Sequence, residues 1–254
     1  MDIRQTNNLA ALEFLRFRDG AWHTGNDSVA REVAVTITWK DAAQGLSGSN
    51  ILWAWAHDLE ELTLGNTLLE HVASYDASLQ PVGSVTAKAP LSYAITVLQQ
   101  KHPAPFPPKN LSAPALLEAM RYFINAPGLW EETGCFHRAA VFAPDENALC
   151  KRVEDIARHN CLDRLVGWSA SSGTPLADKV LLTSARITAS YCTKALRAGF
   201  RALVSRGAVT SAAIEQAQKT NATLIGFARP DENRFTVFAD TAKRFVPTEG
   251  AGHA

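Results

Sequence analysis

The sequence predicts an α/β protein: a strand-rich front unit over residues 1–100 and an α/β layer unit over 111–247. Three observations predict it. Apolar residues alternate at period two in the front, four of the twelve prolines fall within Lys101–Asn110, and short apolar runs alternate with helical patterns behind them. Residues 101–110 then form a connector and 248–254 a flexible tail. The chain has 254 residues, 46% of them hydrophobic and 20% charged, enough for one large or two modest cores without disulfide staples.

In order, REVAVTITW sets Val33, Val35, Ile37 and Trp39 on one strand face, and SNILWAWA reads as a second strand. Asp58 three residues ahead of Glu61 resembles a capping box, opening a helix whose stripe is Leu59, Leu62, Leu68 and Leu69. KHPAPFPPKN lacks the amide donors that a helix or ladder needs and reads as extended. Ser112 then caps a helix that tolerates Pro114 in its first turn and buries Leu116, Leu117, Met120, Phe123 and Ile124. Next come a strand at 138–142, a helix at 156–169, VLLT as strand and a helix at 189–200. ALVS as strand, a helix at 211–219, and the strands ATLIGF and RFTVFA complete the order.

Lys plus Arg and Asp plus Glu number 25 each, so the net charge is zero and the long-range attraction of a non-specific nucleic-acid binder is missing. No apolar run is long enough to span a bilayer and the first twenty residues carry charges where a signal peptide is apolar, so the expectation is a cytoplasmic protein with no membrane partner. The four cysteines, Cys135, Cys150, Cys161 and Cys192, read as reduced thiols. No C-x-x-C, H-x-x-x-H or H-E-x-x-H occurs, so no metal site is expected.

The densest polar block is EDIARHNCLDRLVG, Glu154–Gly167. With Asp155 as cap, Arg158, His159 and Asn160 crowd a first turn whose free N–H groups favour an anion. The same residues also read structurally, as a cap, a surface ion pair and a half-buried histidine. TGCFH places Cys135 two residues before His137, so in extended chain both face one way and the thiol has a possible activator. A small buried cysteine at a tight turn is the alternative. Three further loops follow strands: Ser184–Arg186, Ser205–Gly207 and Phe227–Arg234. In an open α/β sheet such loops meet at the ligand crevice, and the first two each bring a guanidinium suited to phosphate. Surface arginines and a plain hairpin turn are the alternatives there.

Taken in order, TGCFHRAAVF, EDIARHNCLDRLVG, LLTSARIT, ALVSRGAVTSAAIEQA and ATLIGFARPDENRFTVF resemble the FdhD family, accessory sulfurtransferases of formate dehydrogenase. HDLEELTLGNTLLEHVA resembles that family's front helix. The resemblance implies a cytidine-deaminase-like α/β/α fold for the back unit. It also implies binding of the guanine dinucleotide of bis(molybdopterin guanine dinucleotide), with GDP as an analogue, and passage of sulfur from a cysteine desulfurase to the metal centre before insertion into the formate dehydrogenase apoenzyme. Carried over by position, the cofactor-binding residues are Arg158, His159, Asn160, Asp163, Arg186, Ser205, Arg206, Phe227, Ala228, Arg229, Pro230, Asp231 and Glu232.

The chain departs from the family at Ala157, Ala185 and Val209, where Gly, Gly and Pro are usual, and its loop after Phe227 is longer. A larger departure is the C-G-x-C-G type loop that carries sulfur in the family: no cysteine precedes Cys135 in this sequence. Cys135, with His137 beside it, is the one substitute to name. Two roles stay open, a sulfurtransferase and a catalytically silent carrier or chaperone that keeps the nucleotide pocket. A zinc deaminase on the same fold is excluded by the lack of H-x-E and P-C-x-x-C. A homodimer is expected on the frequency of two-fold assemblies.

Overall fold

The computed structural model describes residues 9–72, 81–99 and 110–245. Most of the expected proline connector and all of the expected tail lie outside the described residues. Among the described residues, three sheets carry the fold. β1 (Leu9–Arg18) and β2 (Ala21–Ala30) form an antiparallel hairpin that no other strand joins among the described residues. β3 (Glu32–Asp41), β4 (Leu46–Trp55), β5 (Pro81–Ala89) and β6 (Ser92–Gln99) form a four-stranded sheet in the order β4-β3-β6-β5. β7 (His137–Ala143), β8 (Ala148–Asp155), β9 (Val180–Thr183), β10 (Ala202–Ser205), β11 (Thr223–Arg229) and β12 (Arg234–Asp240) form a six-stranded sheet in the order β12-β11-β10-β9-β7-β8.

The period-two residues of β3 do face a core: Val35 and Ile37 are fully buried against α1 (Leu59–Asn66) and the π-turn Thr67–His71 that continues it. The capping-box expectation for Asp58 fails. Asp58 sits in left-handed backbone at φ 40° with no side-chain cap bond, and its carboxylate pairs instead with His57 Nδ1 at 3.1 Å. α1 crosses α4 (Arg158–Ser172) at a glycine contact. A Cβ on Gly65 would lie 1.8 Å from the Asp163 carbonyl oxygen, and one on Gly167 1.8 Å from that of Glu61. Only hydrogen side chains let the two backbones touch, and this contact seats the front sheet on the back unit.

In the back unit α2 (Ala113–Asn125) is capped as expected, with Ser112 Oγ accepting from the Ala115 amide at 3.4 Å. Short α3 (Trp130–Thr133) leads into β7. β9 (Val180–Thr183) and β10 (Ala202–Ser205) match VLLT and ALVS, α5 (Ala189–Arg197) lies between them, and α6 (Ser211–Lys219) leads to β11 (Thr223–Arg229). Side chains alternate across this sheet. Ala139, Val141, Leu181, Leu203 and Leu224 pack toward α4, α5 and α6; Ala140, Phe142, Val180, Leu182, Val204 and Ile225 pack with α2. These are the α/β/α layers that the resemblance implies.

Six elements went unread in the sequence: β1, β2, β5, β6, α3 and, in the back sheet, β8 (Ala148–Asp155), the edge strand that pairs His137 with Asp155. β8 also corrects the cap of α4. Asp155 ends the strand, fully buried, and Ala157 is the capping position.

Candidate functional site

Topology collects the candidate residues at one edge. β9, β10 and β11 run parallel, so their carboxyl ends share an edge, while β7 runs antiparallel to β9 and brings His137 to it. β8 runs antiparallel to β7, so α4 also starts there. The loops are laced together. Ser184 Oγ accepts from the Arg138 amide at 2.9 Å, the Arg206 amide donates to Thr183 O at 3.0 Å, the Ile187 amide to Ala208 O at 3.0 Å, and the Phe227 amide to Gly207 O at 2.8 Å.

On this edge His137, Arg158, His159 and Arg186 form a cationic group. Burial lowers the pKa of His137, and the charges of Arg158 and Arg186 lower it further. Burial is also the main cause of the lowering at His159, followed by Lys194, Arg158 and His137, with Glu70 opposing. The His159 ring leans on Tyr191 at 5.6 Å, and its Nε2 lies 3.4 Å from Ser190 Oγ. Arg158 Nε is buried with no hydrogen-bond partner. Arg186 and Arg206 are exposed on adjoining loops. Two imidazoles held toward neutrality and several guanidinium groups make a surface that gains by taking up an anion.

Other candidates hold the scaffold. Ser205 is fully buried, donating to Ala185 O at 2.7 Å and accepting from the Gly207 amide at 2.9 Å. Asn160 Nδ2 donates to Trp53 O at 2.9 Å and to Asp155 Oδ1 at 3.1 Å. Asp163 is buried and ion-paired with Lys194 at 2.8 Å, and desolvation raises its pKa to about 6. Phe227 sits at φ 51°, with the Arg229 guanidinium 5.8 Å from its ring. The turn beyond it is not exposed throughout. Ala228 and Pro230 are buried, whereas Asp231 and Glu232 are exposed, with Glu232 bridging Arg229 at 2.8 Å and Arg234 at 2.5 Å. Cys135 is an exposed thiol, following Gly134 in left-handed backbone, and its amide donates to Thr133 Oγ1 at 3.2 Å. The alternative of a buried cysteine is thereby removed; Cys161 and Cys192 are the buried ones.

Sequence reasoning missed Arg164, nearly two turns along α4 from Arg158. It is fully buried, donates to Asp155 Oδ2 at 2.9 and 2.6 Å, and reaches the backbone carbonyls of Trp55, His57 and Asp58. It thus pins the start of α4 to the end of β4. A charged residue inside an apolar helix repeat was the available signal, since burial of a guanidinium demands a partner.

The sequence model of the FdhD/NarQ family matches residues 84–245. The chain belongs to the FdhD/NarQ family. Among relatives, the sulfur carrier protein FdhD of Halalkalibacterium halodurans is 37% identical over 119 residues, 47% of this chain and 43% of that protein. The one of Mycolicibacterium paratuberculosis is 32% identical over 166 residues, 65% of this chain and 55% of that protein. This FdhD/NarQ chain therefore aligns with about half the length of the curated relatives it matches. A crystal structure described as a formate dehydrogenase accessory protein, from Desulfotalea psychrophila, superposes with a TM-score of 0.74 at 20% identity, covering 94% of this chain and 100% of that one. The likeness extends to the fold. Among the described residues no helix is long and apolar enough to cross a membrane, and no group of His, Cys, Asp and Glu could hold a metal ion.

Proposed function

We propose that this chain is an accessory protein of formate dehydrogenase maturation, whose basic edge holds the guanine dinucleotide of bis(molybdopterin guanine dinucleotide). One observation carries the reading: His137, Arg158, His159 and Arg186 converge on one sheet edge, and the buried Arg158 Nε lacks a partner. The donor set fits a phosphate-bearing group. Arg158 and Arg186 would hold the phosphates, His137 and His159 would take up a proton against them, and Arg206 would add charge from the next loop. The cofactor, when bound, supplies the metal centre that receives sulfur.

Calorimetric titration with GDP tests the reading. Saturable binding is expected, weakened roughly tenfold or more by Arg158→Ala through loss of a charge-assisted hydrogen bond. Absence of saturable binding to the intact fold rejects it.

The role we assign is that of carrier, since the only cysteine ahead of β7 is Cys135. The second reading, sulfur transfer, rests on the exposure of that thiol. In that step the Cys135 thiolate attacks the outer sulfur of a desulfurase persulfide, a new S–S bond forms, the old one breaks, and the desulfurase thiolate leaves. Incubation with a cysteine desulfurase and cysteine, followed by peptide mass analysis, decides between the two. No added sulfur on Cys135 is expected. An adduct abolished by Cys135→Ser establishes transfer. The implied partners are the formate dehydrogenase apoenzyme and, under the second reading alone, the desulfurase.

We place the homodimer contact on the β1–β2 arm. A lone two-stranded hairpin is unstable in water, and Leu15, Phe17 and Trp22 share one of its faces at 63%, 59% and 65% exposure. Its ten-residue strands reach about 33 Å, long enough for two arms to pair across a two-fold axis. Light scattering should give twice the monomer mass, and the monomer for Phe17→Ser with Trp22→Ser. A monomeric wild type refutes the placement.

A further inference from the structure

Beside the basic edge, where β4 ends against edge strand β8, lies a cavity of about 140 Å³ lined by Trp55, His57, Asp58, Arg152, Val153, Glu154 and Arg164. It shares no residue with the cationic group. Its two carboxylates are already held. Glu154 accepts from Arg138 Nε at 2.7 Å, Arg152 Nη2 at 2.8 Å and the Leu129 amide at 3.1 Å, while Asp58 pairs with His57. Arg164 is held by Asp155 and three carbonyls. The terminal nitrogens of Arg152 donate to Pro127 O at 2.9 Å and Ala126 O at 3.1 Å.

What stays open is donor capacity. Trp55 is 9% exposed and its Nε1 is buried without a partner, as is Arg152 Nε. Buried N–H groups are rarely left so, and these two belong to residues that line one cavity. The indole cannot turn away to find water. It stacks on His57 at 4.5 Å and 7° and meets Phe136 edge-on at 5.4 Å. The space exceeds that of a single water. A ligand that completes this site must bring acceptor oxygens to the unpaired donors and be small.

We propose that this cavity is a binding site for a small oxyanion, a carboxylate or an inorganic one, received by Trp55 Nε1–H and Arg152 Nε–H beside the Arg164 charge. The test is nitrogen-resolved NMR of the full chain, following the Trp55 indole N–H during titration with acetate, with sulfate, and with chloride as an ionic-strength control. Acetate or sulfate should shift that resonance saturably and chloride should not, and whichever of the two binds tighter identifies the class. Arg152→Lys keeps a cation but removes the Nε–H, and should weaken binding at least fivefold. Trp55→Phe keeps the ring, and should do the same when read on the His57 ring protons. Arg158→Ala should change nothing here, which separates this site from the nucleotide site. No saturable shift, an equal response to chloride, or undiminished binding in folded Arg152→Lys overturns the assignment and leaves a hydrated cavity.

Discussion

Replacing Gly167 with alanine should destabilise the protein, although the same change inside a helix ordinarily stabilises it. By propensity alone, alanine gains about 0.5–1 kcal/mol over glycine. Here the added Cβ would stand 1.8 Å from Glu61 O and 2.5 Å from the Glu61 carbonyl carbon, both backbone atoms of α1. Ordinary contact needs about 3.4 Å, so α1 and α4 must part by roughly 1.5 Å, with no flexible side chain to absorb the shift. Overpacking of this kind costs about 1–3 kcal/mol or more, leaving a net loss of roughly 2 kcal/mol. For a chain of this size that lowers Tm by roughly 4–8 °C. Urea unfolding of Gly167→Ala beside an exposed helical control, Ser171→Ala, measures it. Because α4 also carries Arg158 and His159, GDP affinity should fall in the folded fraction. A Gly167→Ala protein as stable as the wild type refutes the backbone contact, and with it the seating of the front sheet.

Three further outcomes follow from the described contacts. His137 and His159 have lowered pKa values, so they are neutral at pH 7 in the free protein, and an anion raises both; GDP should bind more tightly as pH falls from about 8 to 6, with proton uptake measurable in buffers of different ionisation heat. Affinity independent of pH would place the phosphates elsewhere. Without ligand the same lowered values remove stability as pH falls through the unfolded value near 6.5, which acid unfolding with His137→Gln and His159→Gln can detect. Arg164→Met leaves Asp155 buried and unpaired and should cost about 3–5 kcal/mol in chemical denaturation; a loss below about 1 kcal/mol would show that Asp155 had found another donor.

The sequence by itself determined those elements whose local signal needs no distant partner. VLLT and ALVS are short, fully buried runs bounded by polar turns, and burial on both faces leaves no reading but a central strand. Ser112 caps its helix because a side-chain oxygen and an amide three residues on are all the contact requires. Elements whose stability comes from across the fold were illegible. ALCKRVED carries charges toward α2 and the α4 side alike, and becomes β8 because β7 offers it a ladder and because Arg138, Arg164 and Asn160 meet its carboxylates. Asp58 looked like a cap and Asp155 like another, yet Asp58 turned to the neighbouring His57 imidazole and Asp155 to the guanidinium of Arg164. The site divides the same way. Residue types suited to phosphate stood in the sequence, but only the antiparallel insertion of β7 between β8 and β9 brings His137, Arg158 and Arg186 to one edge. Local sequence sets what a residue can bond; strand order sets what it meets.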